Sequence, residues 1–238
     1  MIAASLSGER LVRKSLDGSS VILTGPEGLF AEGQTTHLVV QIDSKAVEFE
    51  AGDLTFADQV AEWLGIQFVE KFDLEGGLLQ IGQSPDEHAP VCLGGWFGSD
   101  HSLKAAVKGI APAVMASLFA SLQIDEQEQG IVLTPGPGSG ATFPVAGYPP
   151  EVTQPLQRHG LLEVLPLTPA LVSGLPRWEG LATPGGELFL EEGEDDASTT
   201  FLLVSDTAQA RLYPNSAVVT LEEAADEIAK VHVEWSPP

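Results

Sequence analysis

Residues 180–223 read GLATPGGELFLEEGEDDASTTFLLVSDTAQARLYPNSAVVTLEE. Turn residues and short apolar runs alternate through it. Pro184-Gly185-Gly186 leads into Leu188-Phe189-Leu190, and an acidic run (Glu191, Glu192, Glu194, Asp195, Asp196) leads into Phe201-Leu202-Leu203-Val204. QARLYP and SAVVTLEE follow. Short runs bounded by turn chemistry predict a compact series of β-strands. Side chains alternate across a strand, so one sheet face takes only half of each run. Phe189 and the run after Thr200 are apolar on both faces, which predicts a sheet covered on both sides. The chain's own N-terminal half or a partner can supply the second cover.

The segments upstream extend the pattern. LLEVLPL (161–167) reads as a strand and PALVSGLPRWEGL (169–181) as a short helical or turn segment. SSVILTG, THLVVQID and KAVEFEA, between residues 19 and 51, are β-rich runs separated by GPEG and AEGQ. Leu54, Ala57, Val60, Ala61 and Leu64 have helical spacing, and Gly65 stands where a helix ends. IQFVEKFDL and GLLQIG resume strand character around a Gly76-Gly77 hairpin turn. Residues 83–100 read as a polar connection that happens to contain Trp96 and Phe97.

Residues 102–122 carry the clearest helical stripe, Leu103, Val107, Ile110, Val114 and Leu118, widened by Met115 and Phe119. Pro112 should kink that helix or begin a second one. The Pro/Gly-dense segment 130–155 marks a boundary. The expected fold is therefore α+β: an N-terminal mixed α/β domain over residues 1–150 and a small, mostly-β domain over 151–238.

Composition narrows the function. The 238 residues carry 11 Lys+Arg against 34 Asp+Glu, a formal charge of -23, and 43% are hydrophobic. That apolar share specifies a folded protein. The charge opposes binding to nucleic acid or to anionic membranes. No apolar run approaches the roughly twenty residues of a membrane helix, and MIAASLSGERLVRKS lacks the apolar core of a signal peptide. The single cysteine, Cys92, cannot form an internal disulfide, which suits a reducing cytoplasm.

Chemistry-bearing motifs are sparse. His37, His88, His101, His159 and His232 show no metal-ligand spacing. GPGSG (136–140) lacks the Gly-Lys-Ser/Thr of a phosphate loop and reads as a linker. The acidic run 191–196 does not follow the ligand alternation of a calcium loop and reads as a solvated loop tip. No G-x-S-x-G elbow or dinucleotide-binding fingerprint occurs. The alternative is a small hydrolase or transferase of unrecognised type that uses Cys92 or His88 in the Trp96 loop; His88 and His101 flank Cys92 in sequence and could be brought to it in space. The chain is expected not to be an enzyme and to need no cofactor or metal.

The order strand, short helix, turn, strand, acidic loop and strands from Leu161 onward resembles the surface-presentation-of-antigens (SPOA) domain of flagellar switch proteins and of the type III secretion SctQ/HrcQa family. Leu181, Gly185, Gly186, Leu188 and Leu190 fall on the family's L-x-x-L-x-x-G-D-x-L-x-L pattern, with Glu187 where the family often has Asp. SDHSLKAAVKGIAPAVMASLFASLQI (99–124) is similar to the helix of the N-terminal domains of that family. The resemblance covers residues 100–235.

It implies a non-enzymatic scaffold of the cytoplasmic ring, or sorting platform, of a type III secretion system. Such a protein takes part in protein transport and virulence, and lies in the cytoplasm, peripheral to the inner-membrane apparatus. Its implied partners are a second, HrcQb-like SPOA-domain protein and the ATPase-associated stator. The implied dimerisation surface comprises Leu188, Phe189, Leu190, Phe201, Leu202, Leu203, Val204, Val218 and Val219. A secretion chaperone or immunity protein, with an acidic surface for a basic client, is the alternative binding role.

Overall fold

A computed structural model describes residues 8–74, 76–86, 90–193 and 198–238. The protein is mostly β, with 52% of residues in strands and 13% in helices. In chain order come β1 (Glu9–Lys14), β2 (Ser20–Gly25), β3 (Thr35–Ile42), β4 (Lys45–Asp53) and α1 (Phe56–Trp63). A meander follows: β5 (Gln67–Leu74), β6 (Gly77–Gln83), β7 (Val91–Phe97) and β8 (His101–Lys108). Then come α2 (Pro112–Ala120), β9 (Leu122–Gln127), β10 (Gly130–Pro135) and the two-residue β11 (Ala141–Thr142). The remainder holds β12 (Glu151–Leu156), β13 (Gly160–Pro166), α3 (Pro169–Ser173), β14 (Leu181–Thr183) and β15 (Gly186–Glu191). It closes with β16 (Thr200–Val204), β17 (Ala208–Pro214), α4 (Leu221–Ile228) and β18 (His232–Ser236).

The chain forms two compact units. One takes residues 14–18 and 35–150; the other takes 8–13, 19–34 and 151–237. The sequence places a boundary near residue 150. The chain passes between units there, and also after residues 13, 18 and 34.

In the 35–150 unit the antiparallel sheet runs β3-β4-β8-β7-β6-β5, with β11 on β3. One face joins the main core, where Phe49, Leu79, Ile81, Trp96, Leu103 and Ala105 meet Met115 and Phe119 of α2. Phe49 and Phe119 pack edge to face with centroids 5.4 Å apart. The β9–β10 hairpin adds Leu122, Ile131 and Leu133. Leu16 joins this core too, and its carbonyl accepts from the Leu133 amide at 2.7 Å. On the other face α1 lays Ala57 and Ala61 over the strands.

In the 151–237 unit the sheet runs β12-β13-β17-β16-β15-β14, and a second sheet runs β1-β2-β18. Leu162, Val164, Leu188, Phe201, Leu203, Ala210 and Leu212 share a core with Val21, Leu23, Val233, Trp235 and Ala224 and Ile228 of α4. Residues 19–34 of the chain's own N-terminal half thus supply the cover on this face.

Strand order alone reveals an internal repeat. Each unit has a hairpin, a short helix, a four-strand meander whose last strand pairs the hairpin's second strand, a second helix, and a strand in a separate small sheet. Register aligns the two copies residue by residue. Glu50 pairs with Lys104 as Glu163 pairs with Arg211. Leu79 faces Trp96 as Leu188 faces Leu203. The sequence follows: LTFA before α1 matches LTPA before α3, WLGI at 63–66 matches WEGL at 178–181, and GGLLQI at 76–81 matches GGELFL at 185–190.

Several expectations need correction. Residues 101–108 form strand β8, and only 112–120 are helical, with Pro112 at the first helical position. Val91–Phe97 is a strand with Trp96 fully buried rather than part of a polar connection. SAVVTLEE is a turn leading into α4. Thr220 and Glu223 form a reciprocal capping box there: the Thr220 hydroxyl accepts from the Glu223 amide, and the Glu223 carboxylate accepts from the Thr220 amide. β1, β9 and β12 were not expected as strands. The helix over 56–63, its stop at Gly65 (φ 66°) and the turn at Gly76-Gly77 match the sequence reading.

Candidate partner-binding surface

Of the residues nominated for an interface, Leu188, Phe201, Leu203 and Val219 lie in the core of the 151–237 unit. Phe189 and Leu202 are buried on the opposite sheet face. Val204 is half-buried, while Leu190 and Val218 are exposed. Val218 lies in the turn before α4, away from the strand where it was expected. A side chain already buried in its own chain brings no new area to a partner, so of the nominated strand residues Leu190 is the one open to a partner, and it needs neighbours from outside the set.

The sheet's free edge supplies them. β14 has only three residues, and register sets Leu181 opposite Leu188. Leu181 therefore lies on the same face as Leu188 and Leu190, beyond the reach of the core, and is 64% exposed. On the other face Trp178 packs its ring edge-on to Phe189 at 6.4 Å while staying 60% exposed. These side chains border a groove of about 660 Å³ that also takes in Glu179, Glu191 and Glu192.

Hydrogen bonds fix its walls. The Gly180 amide donates to Glu187 Oε1 at 2.6 Å, holding the Trp178–Leu181 segment against β15. Arg211 Nε donates to Glu191 Oε2 at 3.0 Å, and Thr200 donates to the same oxygen at 3.2 Å. The Tyr213 hydroxyl donates to Glu163 at 2.9 Å. The outer face of this sheet is thus a polar ladder flanking Phe189 and Leu202. The groove's rim is apolar and acidic, which suits a protein segment of opposite charge.

Nothing described supports reaction chemistry at the residues considered. Cys92 is fully buried on β7, and burial followed by the charge of Glu70 pushes its thiol up to about 11. A thiol held there is protonated at neutral pH and a poor nucleophile. Cys92 pairs with Val107 and His101 lies at the far end of the same hairpin, roughly 20 Å away along the strand. His88 lies outside the described residues, as do Glu194, Asp195 and Asp196 of the acidic run. Among the described residues no group of three or more His, Cys, Asp or Glu side chains is arranged to hold a metal ion. GPGSG leads into β11 and not into a helix, so it lacks the helix N-terminus that a phosphate loop uses.

His101 has a structural task. Glu126 accepts from the amides of Ser99, Asp100 and His101 at 2.7–2.8 Å, and the imidazole Nδ1 lies 3.4 Å from the same carboxylate. Burial pushes Glu126 up, but these donors outweigh it and hold the carboxyl below its usual value. No helix among the described residues is long and apolar enough to cross a membrane.

Sequence reasoning missed Trp178. Its signal was present: a large aromatic in a polar loop, RWEG, that recurs as EWLG at 62–65. No family model, curated protein or solved structure matches the chain.

Proposed function

We propose that this protein is a non-enzymatic scaffold that binds another protein through the free edge of its 151–237 unit. The observation that carries this reading is the exposed, acid-rimmed apolar surface of Trp178, Leu181 and Leu190 on a hydrogen-bonded frame. Exposed tryptophan is the side chain most often found to dominate an interface. The resemblance of residues 161–235 to SPOA modules supports the specific form of the proposal. In that form the chain is a ring or sorting-platform component of type III secretion, with residues 151–238 as an SPOA-like domain. It meets a second SPOA-domain protein and the ATPase-associated stator in the cytoplasm, beside the inner-membrane apparatus.

The test is light scattering on the full chain, alone and mixed with a second SPOA protein or stator from the same genome. A stable mixed complex that Trp178→Ala and Leu190→Asp each weaken is the expected result. Binding that ignores both substitutions would overturn the surface. A complex with neither secretion component would overturn the secretion role. Phe201→Asp does not serve here, because a charge at that buried position unfolds the unit.

A further inference from the structure

We infer that the 35–150 unit carries a second docking surface, centred on Trp63, for the same class of occupant as the Trp178 surface: a protein segment bearing arginine. The inference rests on the reading of Trp178 as a partner contact, and extends it through the repeat.

Trp63 and Trp178 occupy equivalent places. Trp63 is the last residue of α1 and Trp178 lies five residues beyond α3, but each stands two residues before a glycine and each leads into the edge strand of its sheet, β5 or β14. Both are unusually open for tryptophan, at 83% and 60% exposed, whereas Trp96 and Trp235 are buried. Exposure at one site would be unremarkable, but its recurrence at matched positions indicates a shared use. The chain that follows Trp63 borders a groove of about 370 Å³, which Gly65, Gln67, Val69 and Glu70 line together with Gln83 and Pro112; Trp63 itself is not part of its wall, and Val69 is 73% exposed.

The charge of the chain on either side of each tryptophan points to the occupant. Residues 56–74 carry Asp58, Glu62, Glu70 and Asp73 against Lys71, and residues 175–193 carry Glu179, Glu187, Glu191 and Glu192 against Arg177. Two stretches of equal length each hold four acidic groups and one basic. An indole face beside carboxylates attracts a guanidinium, which stacks on the ring while pairing with an acid. A second copy of this chain is disfavoured by its own charge of -23. Strand addition at β5 is disfavoured by the bulge between Phe68 and Glu70 and by the charges on that edge. Recognition there runs through side chains.

The experiment uses the full chain and a synthetic octapeptide alternating Arg and Leu, with a Glu/Leu octapeptide as control. Calorimetry at 0.15 M salt gives stoichiometry, and quenching of the exposed tryptophans reports occupancy. Two sites per chain are expected. Trp63→Ala and Trp178→Ala should each weaken one of the two sites about fivefold or more and leave the other unchanged, and the double variant should weaken both. Unchanged near-ultraviolet dichroism from buried Trp96 and Trp235 shows that the variants are folded. One site, insensitive to Trp63→Ala but weakened by Trp178→Ala, overturns the second surface and leaves the first standing. No binding, or binding indifferent to both tryptophans or equal for the Glu/Leu peptide, overturns both.

Discussion

The two units share a topology but pack it with opposite volumes. In the 35–150 unit the sheet is small and the helices are large. Gly94 lies under α2, and a Cβ on it would come within 2.6 Å of Phe119 and 2.8 Å of Met115. Gly95 faces the other way, beneath Ala57 of α1 and the ring of Phe68. Register puts Phe201 and Leu202 in those places in the 151–237 unit. There the large side chains stand on the sheet, and α4, packed on β16 and β17, offers Ala224 and Ile228. The counterpart of α1, α3, has only five residues, none of them buried. A layer of fixed thickness can be filled from either side, and close packing requires only that the sum be kept. Trp178 and a polar ladder stand on the outer face of that sheet instead, and the proposed partner surface is built there.

That complementarity breaks most visibly by exchanging one partner alone. Gly94→Phe should be the most damaging change, abolishing folding or costing more than about 3 kcal/mol, because α2 cannot move without opening the main core. Phe201→Ala should cost about 3–5 kcal/mol in denaturant unfolding, since no side chain from α4 is large enough to refill the space.

The turn at residues 98–101 gives a smaller, pH-dependent effect. Glu126→Gln should cost about 1.5–3 kcal/mol at neutral pH, the worth of hydrogen bonds to a charged group. Because the folded carboxyl sits below its usual 4.5, its stabilisation is complete above that value and is lost as the pH falls through the lower folded one. The difference between wild type and variant should therefore narrow under acid and stay flat from pH 5 to 7. Widening on acidification would reverse the sign of the argument.

The smallest effect separates the two matched threonine caps. Thr168 accepts from the Leu171 amide at 3.3 Å, whereas Thr55 makes no such bond and is engaged with Asp53 and Gln59. Thr168→Ala should cost about 0.5–1 kcal/mol and Thr55→Ala less. Equal losses would show that the caps do the same work despite their different bonds.

Much of the sheet was legible because its signals are local. β2, β3, β4, β13, β15, β16 and β17 announce themselves by β-branched runs and turn glycines, and α1 by its apolar stripe. HSLKAAVK misled because Ala, Leu and Lys favour helices. It also alternates, Leu103 and Ala105 inward against Lys104, and pairing with β4 and β7 on both sides overrides propensity. SAVVTLEE misled in the other direction, although Thr220 and Glu223 already spelled a helix start. The repeat was hidden by its spacing of about 110 residues and by side chains that changed while volume was conserved. Val218 and Val219 lie in the turn before α4, while seven of the nominated interface residues, Leu188–Leu190 and Phe201–Val204, lie on strands as read. Their burial in the chain's own core depends on residues 19–34, which nothing local in the C-terminal run reveals.

The pairing of β2 with β18 has a consequence for how the protein is made. Val21 and Leu23 are synthesised well before the strand that pairs with theirs on that side, which begins at His232, 207 residues after Gly25. At roughly 5–20 residues per second, that is a wait of about ten to forty seconds. β2 can pair with β1 at once, but its other edge and the apolar side chains it turns to the core stay uncommitted for that whole interval. In that interval the 35–150 unit can be synthesised and close. The newborn chain is a finished unit tethered to an open edge, and during those seconds whatever shields nascent strands in the cell determines its yield.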